Sequence, residues 1–254
     1  MRLRFAHRWS LMAIMLILGV FLAACGQGGE SQNEPTNQGE QSAQQQDTSN
    51  QSQTNTVRIG YVTWAEDVAV THLWKVILEN EGYEVELTQA DPAPVFTGIA
   101  EGDLDFFLDA WLPVTHKSYF EKYGSQMDQV GVWYEGDVKI GLVVPQYVDI
   151  DSIEELNEHS DRFNGEIVGI DPGAGLMQAT RQAIEEYPLE MELLASSEAG
   201  MLSALDRAVQ AQEWIVVTLW SPHWAFAKYD LKYLEDTKGF FGNPEEIYTV
   251  ARLG

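Results

Sequence analysis

Three tryptophans lie against turn-forming residues, each closing an apolar stretch: Trp64 in Thr63-Trp64-Ala65-Glu66-Asp67, Trp111 in Asp109-Ala110-Trp111-Leu112-Pro113, and Trp220 in Thr218-Leu219-Trp220-Ser221-Pro222. A tryptophan at the carboxyl end of a strand points into the crevice beyond the sheet. Three from distant parts of a chain converge only around something they enclose. Indole faces attract a cation too bulky to hydrogen-bond, so the chemistry these residues suit is recognition of a quaternary ammonium group. The competing reading is core filling by large aromatics. Trp74 follows that second reading, because Val70, Leu73, Trp74, Ile77 and Leu78 recur on one face of an amphipathic helix. No such periodicity absorbs Trp64, Trp111 or Trp220. Trp133, Trp214 and Trp224 stay open, the first two nearer to the core.

Two further features could grip an anion. The Gly173-Ala174-Gly175 turn lies between a strand and a helix. The third glycine of a dinucleotide fingerprint would fall at Gln178, so a nucleotide site is weak. The turn still leaves the amides of Gly175 and Leu176 unpaired at a helix N-terminus, suited to a carboxylate, unless the glycines serve only the turn. His116, five residues after Trp111, stands where it could donate to the same carboxylate; a lone surface histidine is the alternative that spacing alone favours. His223 has the same ambiguity.

Asp103, Asp105 and Asp109 do not form a metal loop, since Leu104, Phe106, Phe107 and Leu108 between them read as a strand and no glycine stands where a calcium loop needs one. The sequence holds no Gly-x-Ser-x-Gly elbow and no His-Glu-x-x-His pair, and thus no visible catalytic nucleophile or metal; neither an enzyme nor a cofactor is expected.

The elements that must position these residues alternate. Val57–Val62 reads as a buried strand, followed by the Trp74 helix up to Gly82 and a strand at Val85–Leu87. Leu104–Leu108 leads into Trp111, and a helix runs through Tyr119 and Tyr123. Lys139–Tyr147 is a long apolar strand placed to cross between lobes. Ser152 and Glu155 form a capping box for a helix over Leu156. Ile167–Ile170 is a strand, Leu176 to Tyr187 a helical face, Met201 to Val209 another, and Ile215–Leu219 the strand ending at Trp220. Strands alternating with helices imply parallel or mixed α/β sheets, and about 200 residues allow two lobes with a cleft between them.

The N-terminus carries Arg2, Arg4 and Arg8, the apolar run Leu11–Leu22, and Leu22-Ala23-Ala24-Cys25. This reads as an export signal over residues 1–24, too short for a comfortable membrane span, ending in a lipobox whose Cys25 becomes the lipidated first residue. Cys25 is the only cysteine in the chain, so no disulfide framework explains it. Residues 25–56, rich in Gln, Asn, Ser and Thr, cannot bury enough surface to fold and form a tether. The formal net charge is −24, and loss of residues 1–24 removes three arginines and no acid, giving −27. Such a chain does not suit nucleic acid, which demands basic patches.

Several stretches in the same order resemble the glycine betaine binding lipoproteins of bacterial ABC importers: Asp109–Tyr119, Ile170–Gly175, Ser196–Leu205 and Trp220–Tyr229. The resemblance runs from about Val57 to the last residue. It implies an α/β, two-lobed type II periplasmic solute-binding protein fold, with ligand in the interlobe cleft. Lobe 1 would span 57–140 and lobe 2 141–246, with 247–254 returning as a strand toward lobe 1. It also implies that Trp64, Trp111 and Trp220 cage a trimethylammonium head while His116, Gly175 and Leu176 hold the carboxylate. Two departures stand out. Ala174 replaces an aromatic found in one branch, and the chain stops at Gly254 where relatives continue, so part of lobe 1 is expected to be missing.

The resulting expectation is a binding subunit, lipid-anchored at the outer face of the cell membrane, that captures glycine betaine or a related osmoprotectant. It would deliver the solute to a permease driven by an ATPase. The rivals are a sugar-binding surface lipoprotein and a choline-ester hydrolase.

Overall fold

The computed structural model describes residues 55–254; the export signal, Cys25 and the tether up to residue 54 fall outside the described residues. Along the chain come β1 (Thr56–Tyr61), α1 (Ala65–Asn80), β2 (Glu84–Gln89), α2 (Pro92–Glu101), β3 (Phe106–Leu112), α3 (Lys117–Tyr123), β4 (Met127–Tyr134) and β5 (Lys139–Pro145). There follow β6 (Glu166–Val168), α4 (Gly175–Glu186), β7 (Glu192–Leu194), α5 (Glu198–Ala211), β8 (Val217–Ser221), α6 (Ala225–Lys228), β9 (Leu231–Tyr233) and β10 (Glu246–Arg252). The strands form two sheets, β2-β1-β3-β10-β4 and β7-β6-β8-β5-β9, and the two-lobed α/β architecture matches the expectation.

In the first sheet β1 runs parallel to β2 and β3, so α1 and α2 are the crossovers that cover its two faces. The α2 side packs tightly. Val95, Phe96 and Ile99 have no exposed surface, and each large side chain so buried contributes about 1.5–3 kcal/mol. Gly60 on β1 fits here because a Cβ would come within 2.5 Å of Leu104 Cδ1. β10 inserts antiparallel between β3 and β4.

The α1 side differs from the periodic reading. The residues of α1 that are buried are Asp67, Val70 and Thr71, whereas Trp74 is 40 % and Leu73 58 % exposed. Apolar residues wrap more than one face of this helix; Asp67, Val70 and Thr71 are the buried stripe, and Leu78 is partly buried against the sheet. Trp74 and Leu78 instead border an open apolar groove with Ile59, Phe106, Leu108 and Val130. Trp74 is therefore not a core residue.

In the second sheet β5 is the buried strand between β8 and β9, antiparallel to both. The whole of β5 belongs to this sheet, and the chain crosses from the first sheet through residues 135–138, not along β5 as its length had suggested. Residues 234–245 carry the chain back. The capping box at Ser152 is formed, with Glu155 accepting from the Ser152 N–H at 2.9 Å, but it opens a 3-10 helix over Ile153–Phe163 in place of the expected α-helix.

Candidate functional site

Each of the three tryptophans sits where a strand of its lobe runs out. Trp64 is the residue before α1, just beyond β1; Trp111 is the penultimate residue of β3 and Trp220 that of β8. All three are buried, and together with Glu66, Thr115, Ile140, Ile170, Ala174 and Leu176 they line one small hollow. The Trp64 and Trp220 rings, from different lobes, have centroids 6.2 Å apart at 55°.

His116 stands one layer out, its ring stacked on Trp64 at 6.0 Å and 6° and tilted against Phe96 at 5.2 Å. Its Nδ1 accepts the Trp111 main-chain N–H at 2.9 Å. A main-chain N–H can only donate, so the neutral ring carries its proton on Nε2. Nε2 is buried with no partner in the protein, and burial pushes the His116 pKa down to about 3. His116 is thus buried rather than on the surface and carries a neutral N–H donor, but it does not itself line the hollow.

Gly175 and Leu176 are the first two residues of α4, whose first intrahelical bonds run from the amides of Met177 and Gln178 to Ala174 O. The two preceding amides have no helical partner and carry the positive end of the helix dipole. Leu176 borders the hollow directly; Gly175 does not line it and instead faces a separate cavity beside Val114 and Thr115 of the first lobe. A Cβ on Gly175 would fall 1.7 Å from the main-chain oxygen of Thr115, so only glycine lets the lobes approach this closely.

A group of acids packs behind the tryptophans; of these, only Asp109 was weighed from the sequence, and only as a metal ligand. Asp109 Oδ1 accepts the Trp111 indole N–H at 2.7 Å while Oδ2 is buried without a partner. Burial pushes the Asp109 carboxyl up to about 7, with the indole N–H acting against it and Glu198 adding to it. Asp67 accepts from the Val62 N–H at 2.7 Å and the Thr71 hydroxyl at 3.0 Å, yet burial and Asp109 hold its pKa well above the ordinary value. Both Glu66 oxygens are sealed from solvent and have no partner. Glu198 bridges the lobes: Oε2 accepts the Ala65 N–H at 3.0 Å, and Oε1 lies 3.0 Å from His223 Nε2. Because His223 Nδ1 accepts the Ala225 N–H at 3.0 Å, Nε2 is the donor to Glu198. The only sequence signal for Glu66 and Glu198 was their place beside Trp64 and at the start of an amphipathic helix.

The remaining candidates lie elsewhere. Asp105 pairs with Arg58 and Arg252 on the far end of β3, away from Asp109. Trp133 is half-buried with its indole N–H donated to Leu108 O. Trp214 lies beneath the Arg162 guanidinium at 3.3 Å, and Trp224 is 46 % exposed.

Solved structures share this fold. The glycine/betaine/L-proline-binding protein ProX of a Borrelia burgdorferi ABC transporter is 41% identical, with a TM-score of 0.76 over 78% of this chain and 76% of its own. Lactococcal OpuAC, in its closed conformation with glycine betaine, is 39% identical with a TM-score of 0.75 over 79% and 78%. Two α/β lobes with a hollow at the strand ends define a type II solute-binding protein.

The family profile for the substrate binding domain of ABC-type glycine betaine transport systems matches residues 55–254, and the chain belongs to that family. The glycine betaine/carnitine transport binding protein GbuC of Listeria monocytogenes is 46% identical over 107 residues, a stretch that spans 41% of this chain and 35% of that protein.

Proposed function

We propose that this protein is the extracytoplasmic binding subunit of an ABC importer and captures glycine betaine, or a close relative, between its lobes. The observation that carries the reading is the convergence of Trp64 and Trp111 from the first lobe with Trp220 from the second on one hollow. A trimethylammonium group spreads its charge over methyls, and each good indole contact replaces its hydration at about 0.5–2 kcal/mol. The carboxylate end takes its direction from the unpaired amides of Gly175 and Leu176 and from His116 Nε2–H. A ligand touching both lobes stabilises the closed form over the open one, which a permease can then recognise. The site binds and releases without turnover.

Lipidation at Cys25 would hold the protein at the outer face of the membrane, with the permease and its ATPase as partners. The family, which is one of transport binding domains, supports that placement. Calorimetric titration with glycine betaine, proline betaine, carnitine, choline and a sugar tests the reading. Saturable betaine binding that weakens in each of Trp64→Ala, Trp111→Ala and Trp220→Ala supports it. Unchanged affinity in all three variants refutes the site.

A further inference from the structure

Glu66 is the one acid among the residues lining the hollow, and its two carboxyl oxygens are shut off from water without a hydrogen-bond partner. The exposed part of the residue is therefore its stem and main chain. Leaving a buried carboxyl unpaired costs free energy that packing does not return, so a group kept this way is expected to meet a partner in another state of the protein. The groups acting on it are Asp109 from β3 and Glu198 from α5, both acidic, with the Trp220 indole N–H from β8 acting the other way. Asp67 is the next residue on α1, and His223 faces Glu198 from the far side. The Trp220 indole N–H is itself buried. The Glu66 carboxyl thus sits among acids behind the indoles, with no Lys or Arg among the described residues acting on it.

Resting on the quaternary ammonium reading above, we propose that Glu66 is a specificity-determining residue that sets its carboxylate against the onium head, so that binding the cation expels a proton from the Glu66 site. In the empty hollow burial and the neighbouring Asp109 favour the neutral acid, with its pKa well above the ordinary value. An arriving cation restores the ionised form, as any opposite charge within a few ångströms does. The proton leaves to solvent as the cation enters, and no covalent bond changes. Two consequences follow from linkage: affinity rises with pH until Glu66 is ionised in the free protein, and the pocket rejects a ligand of the same shape whose head is uncharged.

The test is calorimetry of the purified protein with glycine betaine and with 3,3-dimethylbutanoate, its uncharged-head isostere, in two buffers of different ionisation enthalpy. Measurements at about pH 8 and about pH 5.5 compare a lower with a higher proton supply. The wild type is expected to release up to about one proton per betaine at the lower pH, to bind betaine about tenfold less tightly there, and to prefer betaine over the isostere. In Glu66→Gln the proton release disappears and the preference narrows by about tenfold, while Tm stays within a few degrees of the wild type. If Glu66→Gln fails to fold, Asp109→Asn decides: proton release that persists there supports the proposal, and its loss overturns it. Betaine binding without proton release overturns the proposal and leaves the proposed function standing. Proton release abolished by Asp109→Asn but retained in Glu66→Gln also overturns it. Absence of betaine binding at either pH overturns both.

Discussion

The main-chain N–H of Trp111 fixes the imidazole of His116 by donating to its Nδ1 across 2.9 Å, so one of the indoles of the hollow also sets the tautomer of the histidine behind it. The geometry ties the Trp111 ring and the His116 Nε2–H donor to a single turn, Leu112–Thr115, and leaves the Nε2–H without a charge on the ring. His116→Ala is expected to weaken betaine by about 1–3 kcal/mol, the usual loss when a donor to a charged acceptor is removed. Titration calorimetry of the variant checks it.

The same histidine affects stability. Its folded-state pKa of about 3 lies below the unfolded value of 6.5, so acid protonates the unfolded chain first. The folded state therefore loses stability as pH falls from about 6.5 toward about 3, at no more than about 1.4 kcal/mol per pH unit. Urea melts at successive pH values are expected to show a shallower acid slope for His116→Ala than for the wild type.

Asp109 works in the opposite sense. Its folded pKa of about 7 lies above the ordinary 3.8, so its contribution is favourable below 3.8 and is lost as pH rises to about 7. Asp109→Asn keeps an oxygen for the Trp111 indole N–H and removes the ionisation. Its Tm relative to the wild type is expected to climb between about pH 4 and about pH 7 and to level off above, a gain of a few kcal/mol at most. A flat difference across that range would contradict the assignment.

Gly175→Ala places a methyl where Thr115 O stands, and main chain cannot swing aside as a side-chain tip can. Each lobe keeps its own core, so circular dichroism is expected to stay native. Betaine affinity should fall by on the order of tenfold or more, because the closed form is obstructed. Small-angle scattering should show a radius that no longer contracts with ligand.

Glu198→Ala removes the acceptor shared by the Ala65 N–H and His223. Weaker closure is the expected result, with betaine dissociating faster and an affinity loss of about 1–3 kcal/mol, read by stopped-flow tryptophan fluorescence.

Much of this was legible in the sequence where a side chain's role follows from its neighbours along the chain. Trp111 and Trp220 each precede a proline by two residues after an apolar run, and both end strands. The Gly173–Gly175 turn does open a helix. Trp74 misled because helical periodicity reports which residues share a face, not whether that face is covered; only the sheet's contour decides, and it meets Val70 and Thr71 instead. The acids escaped notice for a related reason. Glu66 and Glu198 belong to helix first turns, where acidic residues are ordinary, and their juxtaposition with Asp109 exists only after three separate segments converge.

β10 lies between β3 and β4, with Ile247 opposite both Trp111 and Tyr134, yet the chain makes it only after the entire second sheet. A growing polypeptide cannot seal its earlier half before its later half exists. Completion of the two halves is thereby synchronised, and early closure of the first half alone is disfavoured by the order of its own strands.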